Sequence, residues 1–368
     1  MKLLYPIKVE NDFIFNPTSR DFIVDEIPLY QFSGEGEHLI VHIRKKDITT
    51  WEMITLLAKY LKIKQRDIGY AGLKDKYAMS MQYISVLAKG NEEKLKQFSH
   101  NKIKILKTYR HNNKIKVGHL KGNHFKVRLK KIFGIQKDKL DSTLKWIEIN
   151  GIPNYFGNQR FGTDSNNWQE GKAIIEGKLK IRDKKMENFL INAYQSYLFN
   201  CWLSKRIELS ILLNSFSERE SEKIFSLPKD TLKGLKKQPH FFKILDGDLM
   251  MHYPYGRLFG IESIEKEAKR FMEFNISPTG LLAGKRVQRA SKVARVIEKN
   301  YDINIAQNGS RRYAWIAVTD INKRYIQEKA HYELEFTLPK GAYATNVLDV
   351  LRGERKKTNL ALNKIIKI

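Results

Sequence analysis

The first third of the chain alternates apolar and polar residues in short bursts. Asp21–Ile27 (DFIVDEI) and His38–Arg44 (HLIVHIR) are rich in Ile and Val, with Gly34 and Gly36 marking their connection, so two strands are predicted. Thr49-Thr50-Trp51-Glu52 has capping-box spacing. Trp51, Ile54, Leu57, Ala58 and Leu61 then recur every three or four positions, which predicts a helix. A short strand is expected at Ile68–Ala71, ending at Gly72, with Leu73-Lys74-Asp75-Lys76 as a loop. Further strands are predicted at Tyr83–Ala88, Ile103–Lys107, Lys114–Val117 and His124–Lys130. The last places Phe125, Val127 and Leu129 on a core face and His124, Lys126, Arg128 and Lys130 on a basic, solvated one. A helix from Asp138 to Ile149 follows, broken by Gly151-Ile152-Pro153.

From about Trp168 to Asn300 the period becomes helical. Phe189, Leu190, Ala193, Tyr194, Tyr197, Leu198 and Leu203 form a stripe read as core rather than as a base-stacking surface. Glu218–Lys237 carries helix-and-turn signals, and Arg289–Lys299 is another helix. Strands return at Arg312–Thr319 and Tyr332–Leu338, followed by a helix over Tyr343–Arg352 and a basic tail. The order sheet-rich, helix-rich, sheet-rich predicts an α+β protein in which a helical domain interrupts a mixed-sheet domain.

Composition narrows the function. A length of 368 residues suits two domains, and 42% hydrophobic with 11% aromatic residues is enough to build real cores. There are 67 Lys and Arg against 40 Asp and Glu, a net charge of +27, which points to a polyanionic partner such as nucleic acid. AT-rich coding also loads proteins with lysine, so charge alone names no reaction. No run of about 18 apolar residues is present, and no basic amphipathic helix dominates, so no membrane partner is expected. The start, MKLLYPIKVENDF, meets Glu10, Asn11 and Asp12 before a signal-peptide core forms, and an intracellular, cytoplasmic protein is expected. The single cysteine, Cys201, excludes an internal disulfide framework and a cysteine-based zinc cluster. With no coiled coil marked, monomer is the default.

Several familiar motifs fail. Gly280–Lys285 (GLLAGK) has only three residues between its glycines, and Arg286 stands where a phosphate loop needs Ser or Thr. Gly34-Glu35-Gly36 puts a carboxylate where a pyrophosphate would need bare N–H groups. The histidines are scattered; His119 and His124 are nearest to ligand spacing, without a supporting cluster, so no metal is expected.

Three segments are denser in small, polar and aromatic residues than packing demands. In Gly69–Ala78 (GYAGLKDKYA), Asp75 lies between Lys74 and Lys76 beyond a strand end, and those cations favour an ionised carboxylate. Such a group suits a nucleophile or a stabiliser of positive charge on a sugar; an ordinary solvated loop acid is the alternative. Asn154–Gly162 (NYFGNQRFG) follows a Pro-marked break. Its glycines permit close backbone approach, Phe156 offers a stacking face, and Asn154, Gln159 and Arg160 offer polar contacts. Leu338–Val347 (LPKGAYATNV) joins a strand end to a helix start.

Together these segments resemble the TruD family of RNA pseudouridine synthases. The similarity runs in order through DFIVDE (Asp21–Glu26), GEGEHLIV (Gly34–Val41), AGLKDKYA (Ala71–Ala78), HLKGNHF (His119–Phe125) and PNYFGNQRFG (Pro153–Gly162). It continues through LDGDLM (Leu245–Met250), ISPTG (Ile276–Gly280), SRRYA (Ser310–Ala314) and LPKGAYAT (Leu338–Thr345). The resemblance implies a mixed, largely antiparallel pseudouridine-synthase sheet domain (residues 1–177 and 316–368) carrying an inserted, more helical TRUD domain (178–315), with RNA held in the cleft between them. It implies isomerisation of uridine 13 in the D arm of a tRNA, with Asp75 catalytic. Phe156 then packs on the target uridine, and Asn154, Lys74, Gln159 and Arg160 lie among the substrate contacts. One position departs: the family lysine five residues before Asp21 is Asn16 here, and Arg20 is the candidate substitute.

The implied reaction involves neither redox nor transfer to another molecule, so no cofactor or metal is required. The target base must leave its stack, as in other enzymes that act on a base. Two other readings compete. A non-catalytic RNA-binding or chaperone protein would use the same charge, and an RNA methyltransferase is disfavoured by the lack of a Gly-rich strand–turn.

Overall fold

The computed structural model describes residues 3–162, 164–225 and 227–353; the basic tail lies outside them. The strands are β1 (Phe22–Pro28), β2 (His38–Lys46), β3 (Gly69–Tyr70), β4 (Met79–Leu87), β5 (Ile103–His111), β6 (Leu120–Lys130), β7 (Ile152–Pro153), β8 (Leu249–His252), β9 (Leu258–Gly260), β10 (Ile276–Leu282), β11 (Ser310–Tyr313), β12 (Trp315–Ile316), β13 (Thr319–Ile326) and β14 (His331–Pro339). The helices are α1 (Thr50–Leu61), α2 (Glu92–Lys96), α3 (Gly134–Asn150), α4 (Asn167–Ile175), α5 (Lys184–Ser215), α6 (Glu218–Ile224), α7 (Lys229–Lys237), α8 (Ile264–Met272), α9 (Lys292–Glu298) and α10 (Ala344–Arg352). The protein is α+β, and the chain divides into two compact units. A sheet unit comprises residues 12–138 and 318–341; a helical unit comprises the remainder, with one boundary inside α3. These limits differ from the 178–315 insertion expected above.

In the sheet unit the strand order is β13-β14-β6-β1-β4-β2-β5, with β3 added on β4. Every pairing is antiparallel except β1 with β4. Period-2 alternation sends Leu39, Val41 and Ile43 of β2 and Ile84 and Val86 of β4 to one face. There they pack with Met53, Ile54, Leu57 and Leu61 of α1. The Thr49–Glu52 capping box forms as predicted. Trp51, however, is half exposed, and Met53 takes the inward place. On β6, Phe125, Val127 and Leu129 are buried as predicted. The opposite face is less solvated than expected: Arg128 and Lys130 both pair with the buried Asp21. Burial pushes that carboxyl up, but the bond and charge of Lys130 and the charge of Arg128 outweigh it and leave its pKa below the ordinary range.

Lys114–Val117 is not a strand. The Ile115 N–H is satisfied by the Ser85 hydroxyl at 2.9 Å rather than by a ladder, and Val117 is exposed.

The helical unit is built on the 32-residue helix α5, whose Leu190, Ala193, Tyr194, Leu198 and Leu203 are buried as the stripe predicts. Phe189 is exposed and Tyr197 only partly buried. The stretch expected to be helical also contains a sheet, β11-β10-β8-β9. Its central strand β10 (ISPTGLL) is buried at six successive positions, so it shows no alternation for a sequence pattern to detect. Gly280 lies against α5; a Cβ there would stand 2.3 Å from the Trp202 ring. Arg206 of α5 clamps Asp248 with two bonds of 2.7 Å in the buried interior.

His240 packs 4.0 Å from the Phe271 ring, accepts the Phe242 N–H at Nδ1 and donates from Nε2 to the Asn150 carbonyl. Burial pushes its pKa down to about 4. An unfolded histidine titrates near 6.5, so the unfolded chain takes up the proton first. The stability that neutral His240 contributes is therefore complete above about pH 6.5 and is lost as pH falls toward 4. Urea midpoints at pH 7 and pH 5 should differ less in His240→Gln than in the parent.

Candidate active site

The loop between β3 and β4 carries Asp75, and both flanks of that loop are tied to buried groups of the sheet unit. Along β2 the inward series Leu39, Val41, Ile43 continues to Lys45, which is fully buried. Its ammonium donates to the carbonyls of Ile48 (2.7 Å), Asp75 (2.7 Å) and Lys74 (3.3 Å). Thr50 supports the same loop: its Oγ1 accepts the Lys74 N–H at 2.9 Å and donates to Gln82 at 3.0 Å. Burying an ammonium costs several kcal/mol, which the three carbonyls offset. Burial pushes the Lys45 pKa down to about 8, while Asp75, the largest opposing influence, draws it up. Lys45 is thus mostly protonated near neutral pH.

The Lys74 side chain turns away from Asp75. Its ammonium meets the buried Glu26 of β1 at 2.6 Å and Asn123 of β6 at 2.8 Å. Glu26 and Asn123 are register partners, and Glu26 also accepts the Tyr83 N–H at 3.2 Å. The expectation that both flanking lysines serve the Asp75 carboxylate is corrected accordingly: Lys74 anchors the loop, Lys76 is exposed, and the buried cation at the Asp75 backbone is Lys45. Asp75 itself is exposed.

A second cluster lies in the helical unit. Asn200 of α5 holds the backbone of Phe156 at both ends, accepting its N–H at 2.9 Å and donating to its carbonyl at 3.0 Å. Arg312 of β11 lies over the Phe156 ring at 4.0 Å and donates to the Asn154 side chain at 2.7 Å and carbonyl at 3.1 Å. The Asn154 amide in turn donates to the Tyr313 carbonyl at 3.0 Å. Burial pushes the Arg312 guanidinium down to about 10, so it remains a cation at neutral pH. Phe199 meets Phe156 edge-on at 5.6 Å, and Arg160 lies 5.8 Å from the same ring while donating to Ser196. Asn346 donates to the Tyr155 carbonyl at 2.9 Å, and a Cβ on Gly157 would meet the Thr345 hydroxyl at 3.2 Å. Three of the motif segments therefore converge around Phe156: NYFGNQRFG, SRRYA and LPKGAYAT.

The sequence-predicted residues fall into two groups. Asp75 and Lys74 share the anchored loop, and Arg20 lies exposed just before β1 of the same unit. Asn154, Phe156 and Arg160 cluster in the helical unit, with Gln159 exposed beside them. Lys45, Glu26, Asn123, Asn200 and Arg312 were not singled out from sequence. Extending the β2 alternation by one residue pair would have marked Lys45 as inward-facing. A bare sequence carries no comparable signal for Asn200.

Comparison with known proteins finds relatives along nearly the whole chain. A family model described as tRNA pseudouridine synthase D (TruD) matches residues 14–182. A tRNA pseudouridine synthase D of Nitratiruptor sp. is 51% identical over 347 residues, covering 94% of this chain and 96% of the relative. The Helicobacter pylori protein of the same name is 44% identical over 361 residues, with 95% of each chain covered. A crystal structure of a Methanosarcina mazei protein, described as a candidate TruD, superposes with a TM-score of 0.68 at 22% identity over 96% of each chain and shares the fold. These relatives define a pseudouridine-synthase type of isomerase. Within that class, the chain belongs to the tRNA pseudouridine synthase D (TruD) family.

Removing the Lys45 ammonium leaves three carbonyls without their donor, a local loss. Lys45→Met should fold, yet hydrogen exchange at the amides of residues 73–78 should speed at least tenfold while α1 amides change little. Unchanged loop exchange would show that Lys45 does not hold the loop.

Proposed function

We propose that the protein converts a uridine of tRNA, uridine 13 by family resemblance, to pseudouridine with Asp75 as the catalytic carboxylate. In this isomerisation the N1–C1′ bond breaks, the uracil turns, and C5 bonds to C1′. C5 gives up a proton and N1 gains one, so the composition of the nucleotide is unchanged. The chemistry calls for a carboxylate at a fixed position. The observation that carries the reading is the anchored Asp75 loop, held by Lys45 on one side and by Lys74 with Glu26 and Asn123 on the other.

The base has to be extruded, at a cost of a few kcal/mol. An aromatic contact worth about 1–3 kcal/mol offsets much of this, and Phe156 is assigned that role. Arg312, held by Asn154, covers the Phe156 ring; Arg160, Gln159 and Arg20 are assigned contacts to the RNA. Phosphate contacts from the basic surface supply affinity, while shape selects the RNA. We extend the reading to residues 178–315 as an inserted domain, and to a monomer acting in the cytoplasm. A non-catalytic RNA chaperone explains the charge but gives no role to a buried lysine holding the backbone of an exposed aspartate.

Asp75→Asn should lower pseudouridine formation at least about 100-fold, within the range for loss of a catalytic acid or base, with tRNA affinity within a few-fold of the parent. Turnover near the parent rate in a chemical pseudouridine assay would remove Asp75 from the chemistry. In the same assay Phe156→Ala should cost more than Tyr194→Ala, although both rings are buried in the same unit. Equal losses would mean that Phe156 only fills space.

A further inference from the structure

An open groove of about 810 Å³ runs beside β5, the edge strand of the large sheet. Its lining includes Arg44 and Lys46 of β2, Lys102, and Lys104 and Lys107 of β5, with no Asp or Glu. Arg44 and Lys104 are register partners, and Lys107 stands opposite His42, so the cations form a ribbon along two adjacent strands. Arg44, Lys46, Lys102 and Lys104 make no ion pair among the described residues. Phe98 and His100, stacked at 6.4 Å, also line it.

An edge strand needs a lysine or two to deter pairing with another chain. That role does not account for Arg44 and Lys46, which sit on the inner neighbour β2, nor for a concave arrangement of uncompensated like charges. Such an arrangement raises the local potential and favours a polyanion. The groove also adjoins the Asp75 loop along the chain. Met79, the first residue after the loop of Asp75, lines it, as does Lys46, next to Lys45. Lys76 of the loop and Lys102 of the groove both lower the pKa of Glu52, after the larger effect of its bonds to Thr49.

We propose that this groove seats the sugar–phosphate backbone of the tRNA beside the nucleotide presented to Asp75. The inference rests on the proposed function and extends it to a named phosphate track. Phosphate contacts made there position the RNA without reading its sequence.

The test compares Arg44→Gln/Lys104→Gln/Lys107→Gln with a control of equal charge change, Lys233→Gln/Lys266→Gln/Lys269→Gln, whose side chains are exposed on α7 and α8. Binding of full-length tRNA is measured across a salt series in an Asp75→Asn background, so it does not depend on catalysis. Each phosphate that the protein no longer neutralises should flatten the log–log salt slope by about 0.7–0.9. The groove variant should bind at least tenfold more weakly at low salt, with a slope shallower by about 2, and the control should match the parent. In the otherwise wild-type chain the groove substitutions should raise KM and leave kcat within about threefold. Equal effects of the two triple variants, or an unchanged slope, would overturn the groove assignment while leaving Asp75 in place. An active Asp75→Asn enzyme would instead overturn the catalytic reading and leave the groove result standing.

Discussion

One buried ammonium group organises the region that matters. Lys45 completes a row of apolar residues beneath α1, and its charge there is tolerated only because backbone carbonyls converge on it. The carbonyls available come from the turn before α1 and from the Asp75 loop. Burial of the lysine and placement of the loop are therefore one event. The layer between α1 and the sheet turns polar at this end, with Thr50, Ser80 and Gln82 buried beside Lys45. Lys74 extends the anchoring toward β1 and β6 through a buried ion pair. Breaking one partner of such a pair costs more than the pair gains over an apolar substitute, so it specifies geometry more than it stabilises.

The motif segments that single out the family sort into distinct physical jobs. DFIVDE, AGLKDKYA and HLKGNHF meet at Glu26, Lys74 and Asn123 in the sheet unit. NYFGNQRFG, SRRYA and LPKGAYAT meet around Phe156 in the helical unit. ISPTG and LDGDLM build the interior behind the second group. Arg311 bonds Thr279, and Thr279 bonds the Leu249 carbonyl. Asp248 closes on Arg206. Most of these residues position others and are themselves hidden. Asp75, by contrast, is exposed.

Much of this was legible from the sequence because the relevant forces are local. The α1 capping box, the alternation of β6 and the long stripe of α5 each follow from short-range pattern, and each is present. What escaped was set by tertiary context. β10 is buried on both faces and lost its alternation, and Lys114–Val117 had strand-like composition but found a side-chain partner instead of a ladder. Lys74 and Lys45 could not be assigned their partners from spacing, since Glu26 and the Ile48 carbonyl become neighbours only after the sheet closes. Arg312 was legible only as the start of a strand, yet it is the cover on Phe156.

The sheet unit is discontinuous, and that has a consequence for how the chain is made. β14 pairs along the whole of one side of β6, placing Tyr332, Leu334, Phe336 and Leu338 beside Leu129, Val127, Phe125 and Asn123. Residues 139–317 intervene between these partners. At about 5–20 residues per second, a ribosome takes roughly 10–40 s to cross that gap. Throughout that interval β6 would present an unmatched edge and an unfinished apolar layer. Premature termination anywhere in residues 139–317 would thus leave the nascent sheet unsealed, so the last strands act as a completeness check on the polypeptide.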